Sequence, residues 1–283
     1  MSWVPGPFVV ALLGFQCIMR SRGQRGKNAV RQTYPILEHD PAREAFIEPS
    51  MVAQQRDVPG HCVICFFMDV IEKVITEHRA RMLVENRWED GPHPVHEIVY
   101  KDRRLAFFHP GVGSALSAAL LEEVIAFGCT KFIACGGCGV LQEEIATAHL
   151  IVVSAAVRDE GVSYHYLPPA REVPANQSAV QALVSVLDQR GIPHLIGKTW
   201  TTDAPYRETK ARIERRRAEG CLTVDMEAAG MMAVAQFRNV PFAQILYAGD
   251  DLSGPELDNR DWQTRTDVRE QLFWLAADAV LSL

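Results

Sequence analysis

Two acidic residues, Glu227 and Asp250, are set apart by the stretch of chain between them. Val224-Asp-Met-Glu-Ala-Ala-Gly230 opens a segment in which Met226, Ala229, Ala233 and Phe237 recur at helical spacing. That spacing predicts a helix over 227–238 with one face on a sheet. Asn239-Val240-Pro241 stops it, and Phe242–Ala248 reads as a fully buried strand running into Gly249-Asp250-Asp251. In open α/β sheets the ligand crevice lies at the carboxyl ends of the strands. Asp250 therefore falls where ligands bind, with Glu227 nearby at the head of the preceding helix. Such a pair suits proton donation from one carboxyl and a grip on hydroxyl groups by the other, because an ionised carboxylate accepts hydrogen bonds through two oxygens. An aspartate that donates near neutral pH needs a pKa raised by burial or by a like charge, here Asp251 or Glu227. Simpler roles exist for both. Asp250-Asp251 suits a turn or cap before Leu252-Ser-Gly, and Glu227 suits a first-turn acid favoured by the helix dipole.

The rest of the chain must position these groups. Apolar runs predict strands at 62–67, 105–108, 131–135, 150–157, 194–198 and 242–248, and periodic segments predict helices at 70–85, 114–127, 177–189, 207–218, 227–238 and 267–282. Gly128 and Gly191 follow their helices where a C-terminal glycine is expected. Strands alternating with helices imply an α/β fold, a mainly parallel mixed sheet covered on both faces. Nothing demands a second domain in a chain of 283 residues with 48% hydrophobic content.

Composition narrows the function classes. A formal charge of −6 argues against nucleic acid or an anionic membrane as partner, and the one basic run, Arg212–Arg217, reads as a solvated helix face. Seven cysteines, mostly inside apolar runs, fit free thiols in a reducing cytoplasm. Of the two Cys-x-x-Cys pairs, Cys62 and Cys65 point to opposite faces of a strand and Cys138 sits among glycines, so neither matches zinc geometry. The apolar run Phe8–Met19, followed by Arg20, Arg22, Arg25 and Lys27, is too short to span a bilayer and lacks the positive start of a signal peptide. Residues 1–33 read as a disordered or mis-started extension, with the folded body over 34–283.

Four segments, in order, resemble the purine nucleoside and uridine phosphorylases and the related nucleosidases. His109-Pro-Gly-Val-Gly-Ser114 is similar to their first glycine loop, and Gly136-Gly137-Cys138-Gly139 to their second. Ala156–Tyr166 resembles the uridine phosphorylase pattern Val-Arg-x-x-Gly-x-Ser-x-His-aromatic, and Val224–Gly230 the Val-Glu-Met-Glu-Ala-Ala motif. The resemblance runs from about Cys62 to the C-terminus. It implies cleavage of an N-glycosidic bond, which develops positive charge on the ribose ring. In that reading Glu227 accepts from the 2′ and 3′ hydroxyls and Asp250 donates to purine N7. Met226 packs on the sugar with Asp225 beside it, and the backbone at Gly111, Gly136 and Gly137 approaches the substrate closely. Tyr166 and Tyr206 are candidates for stacking on the base, or for partly buried core. Arg207 meets an anionic group, or forms a surface ion pair with Glu208. Phosphate is a co-substrate, no cofactor or metal is implied, and a homo-oligomer is expected.

Three departures stand out. The first predicted strand ends Phe66-Phe67-Met68-Asp69 where the family has Gly-Asp-Pro. Ala134 occupies the place of the phosphate-binding arginine, and the uridine-specific Gln-x-Arg pair falls on Arg207 and Thr209. Losing that arginine removes a charge-assisted contact worth about 1.5–3 kcal/mol. Phosphorolysis is the first reading. Hydrolysis, with Glu72 activating water, is second, and a non-catalytic nucleoside-binding protein is third.

Overall fold

The computed structural model describes residues 31–283. The readings for Phe8–Met19 and its basic flank lie outside the described residues; 31–33, the last of the expected extension, are exposed. Among the described residues two of the helices, α1 (Pro49–Val52) and α4 (Ser163–Tyr166), are single turns, and ten strands form one sheet. Its centre is β5 (Lys131–Val140), which pairs in parallel with β1 (His61–Cys65) and β10 (Phe242–Asp251), and antiparallel with β9 (Cys221–Asp225). From β1 the sheet extends through β4 (Arg103–Phe108) to the antiparallel hairpin of β2 (Arg81–Trp88) and β3 (Gly91–Tyr100). On the other side β10, β6 (Leu150–Asp159), β8 (His194–Thr202) and β9 return to β5, so these five strands close on themselves. The short β7 (Glu172–Pro174) hangs on β6. The mixed sheet flanked by helices agrees with the α/β expectation.

Strand alternation sends side chains into two cores. On one face Cys62, Ile64, Phe132, Ala134 and Leu246 pack under α3 (Ser114–Phe127) and α7 (Ala228–Arg238), through Leu121, Val124, Met231 and Val234. On the other, Val63, Cys65, Ile133, Cys135 and Ile245 meet α2 (Met68–Glu77), α5 (Gln177–Gln189) and α8 (Thr266–Ser282), through Val70, Leu183 and Phe273. Cys62 and Cys65 thus lie on opposite faces, as period-two geometry requires.

Three sequence expectations need correction. The helix read over 70–85 ends at Glu77; Arg79 takes a left-handed φ of 50°, and Arg81 starts β2. The hairpin was missed because β2 lies on the sheet edge, half-exposed, and shows no clean alternation. The Gly136–Gly139 segment is no loop: it continues β5, with Gly136, Gly137 and Cys138 opposite Leu246, Tyr247 and Ala248. Its glycines serve close packing instead, since a Cβ on Gly139 would lie 2.7 Å from Leu252 and 2.8 Å from Val224. The basic helix is α6 (Lys210–Ala218), and it is not wholly a solvated face. Arg216 is buried over the Trp200 ring, bound to Asp159 at 2.8 Å and Glu219 at 3.0 Å; pairing is what lets this guanidinium leave water.

Candidate active site

The carboxyl ends of β1, β4, β5 and β10 face one rim, and β9 delivers its own end to the same place by running antiparallel to β5, with Val224 opposite Gly139. A cavity of about 380 Å³ opens there. Both acids singled out in the sequence line it, Glu227 and Asp250, together with Asp225, Met226 and Gly137.

Local sequence explains how Glu227 is held. Asp225 ends β9 and accepts a hydrogen bond from the Ala228 N–H at 2.9 Å, capping the start of α7. Its other oxygen accepts from Thr201 Oγ1 at 2.8 Å, tying β8 to the turn, and Thr201 Oγ1 in turn accepts from the Ala229 N–H at 3.0 Å. Asp225 therefore lies on the cavity wall but spends both oxygens on the scaffold. Glu227 occupies the N-cap position of α7, and its Oε1 accepts from the Gly113 N–H at 2.6 Å. Gly113 makes that approach with φ +89°, a conformation open to glycine. Ser114 Oγ donates to the Met226 carbonyl at 2.7 Å, so the first glycine loop clasps the Met226–Glu227 turn at two points. α7 ends at Asn239 in a left-handed conformation (φ 59°), before Val240-Pro241, as predicted.

Burial and the neighbouring Asp225 charge push the Glu227 carboxyl up to about 8, against the lowering pull of the Gly113 and Met226 N–H groups. Asp225 itself is pushed up to about 6 by burial. Asp250 is half-buried and raised above the usual aspartate range, first by burial and then by Asp251. Among the described residues it makes no side-chain hydrogen bond to another residue. The turn-cap role belongs to its neighbour: Asp251 accepts from the Ser253 N–H at 2.8 Å and pairs with Arg260. Asp250 is left facing the cavity.

Glu208 is a functional candidate that sequence reasoning missed, having treated it only as a possible surface partner of Arg207. It lines the same cavity beside Asp250, and burial followed by the Asp250 charge pushes it up to about 7. A carboxyl pushed up to about 7 beside an aspartate that is itself raised can hold a proton near neutral pH. Nothing local distinguishes Glu208 from a surface acid ahead of α6; only the fold brings it to Asp250.

The remaining candidates are placed as follows. Gly111 (φ +75°) shapes the first loop, donates to His109 Nδ1 at 3.0 Å, and leaves Val112 to reach the cavity. Gly136 packs on Phe66, where a Cβ would lie 3.1 Å from the ring, and stays off the wall, whereas Gly137 lies on it. Tyr206 is 98% exposed and lines a neighbouring cavity of about 600 Å³ that shares Pro205, Glu208, Asp250 and Leu252 with the first. Arg207 is exposed on neither wall and forms no ion pair among the described residues. Tyr166 is away from the site. It packs on Phe237 at 5.5 Å in a separate cavity, and burial together with Glu122 pushes its phenol up. Arg158 of the same segment is consumed structurally, donating to Ser163 Oγ and to the Leu167 and Pro168 carbonyls. Glu72 is exposed on α2 and does not line the cavity. No group of three or more metal-ligating side chains occurs among the described residues.

The phosphorylase superfamily profile matches residues 61–280. A guanosine phosphorylase of Halorubrum lacusprofundi is 25% identical over 190 residues, covering 65% of this chain and 78% of that protein. A uridine phosphorylase of Thermococcus kodakarensis is 32% identical over 111 residues, 39% of this chain and 40% of that one. Among solved structures, a uridine phosphorylase from Vibrio fischeri superposes with a TM-score of 0.69 at 21% identity, over 82% of this chain and 95% of that chain. An AMP nucleosidase from Bacteroides thetaiotaomicron superposes with a TM-score of 0.65 at 21% identity, over 82% and 92%. At these identities the superpositions speak for the fold alone.

Proposed function

Because the chain belongs to the phosphorylase superfamily, we propose that it breaks the N-glycosidic bond of a purine nucleoside by phosphorolysis, giving the free base and a pentose 1-phosphate. The observation that carries this is the placement of Glu227 and Asp250 on one cavity, each with a raised pKa, with Glu208 beside Asp250. Glu227, fixed by the Gly113 N–H, holds the ribose hydroxyls, and Met226 packs on the sugar. As the bond stretches, the ring gains positive charge and the base gains negative charge. Asp250 supplies the proton that the leaving base needs, and Glu208 keeps that proton available near neutral pH. Two protonatable carboxyls at the base end suit a purine, whose edges carry several ring nitrogens. The uridine-like Arg158–Tyr166 segment serves the scaffold instead.

Phosphate is the favoured nucleophile over water because Glu72, the only base suggested for hydrolysis, stands outside the cavity, while an arginine, Arg269, lines it. Hydrolysis keeps one argument, the replacement of the family's arginine by Ala134, which is fully buried and carries no charge. The exposed apolar side chains Phe46, Ile47, Met51 and Val52 support the homo-oligomer that the resemblance implies. No helix among the described residues is long and apolar enough to cross a membrane.

The test is the rate of base release from purine nucleosides by protein freed of bound phosphate. We expect release to depend on added phosphate, rising at least tenfold at saturation. An equal rate in phosphate-free buffer would favour the hydrolytic reading.

A further inference from the structure

The two positions at which this chain departs from the phosphate-binding pattern are each met by a polar side chain from elsewhere in the fold. Ala134 on β5 is opposite Gln244 on β10. Phe67 lies beneath the Arg269 guanidinium, whose carbon sits 4.7 Å from the ring centroid. Gln244 and Arg269 both line the cavity that holds Glu227 and Asp250.

Both also carry buried polar atoms with no partner. Gln244 is 1% exposed, and its Oε1 accepts no hydrogen bond. Arg269 has a side chain 16% exposed, with its Nε buried and unpaired. Two contacts hold the guanidinium in place: Nη2 on Asp69 Oδ1 at 2.9 Å, and Nη1 donating to the Gln263 carbonyl at 3.3 Å. Asp69 is 40% exposed, so water weakens its hold on the charge. A buried donor and a buried acceptor left unmatched are each costly, and such groups in folded proteins are ordinarily satisfied. Finding one of each on the wall of a single cavity points to a ligand that brings both an acceptor and a donor.

We propose that Arg269 and Gln244 form the subsite for inorganic phosphate, supplied by this chain in place of the arginine absent at Ala134. This rests on the phosphorolytic reading above. Hydrogen phosphate offers anionic oxygens to the guanidinium and a P–OH to the glutamine oxygen. The amide offers a carbonyl acceptor and an NH2 group with two N–H donors. Arg269 comes from the first turn of α8, far in sequence from any glycine motif, so the cation has moved to another element while the cavity keeps its place.

Calorimetric titration with inorganic phosphate, on the full chain without nucleoside, reads the subsite directly. Arg269→Gln is expected to weaken phosphate binding by about 10- to 100-fold, and Gln244→Leu, close in volume, by several-fold. The KM for the nucleoside at saturating phosphate should change less than twofold in both. Circular dichroism and the melting temperature check folding. If Arg269→Gln unfolds, Arg269→Lys keeps the charge but loses Nε and the planar fork, and it should show an intermediate loss. Unchanged phosphate affinity in the arginine and glutamine variants overturns the subsite, as does a wild-type protein that binds no phosphate. A wild type that binds phosphate through Arg269 yet releases base equally well without it keeps the subsite and refutes phosphorolysis instead.

Discussion

Asp250→Asn will lower base release from a purine nucleoside by about 10²- to 10⁴-fold, the range that a positioned general acid contributes. The amide keeps the size of the carboxyl but has no proton to deliver to the departing base. Asp250 is half-buried and makes no side-chain hydrogen bond to another described residue, so the fold does not depend on it. The loss should fall on kcat, with nucleoside affinity nearly unchanged, because the contact strengthens only as charge develops on the base. Steady-state kinetics at neutral pH reads both constants, and an unchanged kcat would remove Asp250 from the chemistry. Glu208 predicts a companion feature. With this group pushed up to about 7 beside Asp250, wild-type activity should decline as pH rises through 7–8 and its proton is lost.

The second large effect is at Glu227. Glu227→Ala removes the group that holds two ribose hydroxyls and leaves the Gly113 N–H unpaired in a buried place. With the carboxyl pushed up to about 8 it is largely protonated at neutral pH, so the two contacts are hydrogen bonds to a neutral group worth about 0.5–1.5 kcal/mol each, and kcat/KM for ribonucleosides should fall by about 10- to 100-fold. A 2′-deoxynucleoside has already lost one of those contacts and should lose less, which shrinks the preference for ribose. Kinetics with both sugars measures this, and an equal loss for the two would contradict the grip. The same residue carries a pH effect on stability. Its carboxyl sits at about 8 in the folded protein against 4.5 for an ordinary glutamate. Between those values the folded protein holds a proton that the unfolded chain has released. Stability from this group is therefore present below about pH 4.5 and is lost as pH rises towards 8. Glu227→Gln cannot ionise, so its melting temperature should decline less between pH 5 and 9 than that of the wild type.

Much of this was legible in the residues themselves. The 3.6-residue spacing through Met226, Ala229, Ala233 and Phe237, the Asn-Val-Pro stop and the apolar run Phe242–Ala248 gave α7 and β10 nearly to the residue, and with them the approach of Glu227 to Asp250. Those signals are local, and burial on one face writes them into the pattern. What failed was non-local. The closing of five strands on themselves is set by the pairing of β10 with β5 on one side and β6 on the other, and no single segment records it. The glycines at 136, 137 and 139 look like a loop in sequence, but they serve a strand crowded by Phe66, Tyr247 and Leu252. Tyr166, open in sequence to base stacking or to partly buried core, lies against Phe237. Glu208, Gln244 and Arg269 come from three distant elements, and only the folded chain shows that they share a cavity with Glu227. The sequence did flag Ala134, opposite Gln244, and Phe67, beneath Arg269, as departures.

The most direct test of the account is the phosphorus NMR spectrum of the wild-type reaction, run with a purine nucleoside in phosphate buffer. The account predicts that inorganic phosphate is consumed in step with base release and that a sugar 1-phosphate resonance replaces it. Free ribose, with the phosphate signal unchanged while base accumulates, would contradict it and make water the nucleophile.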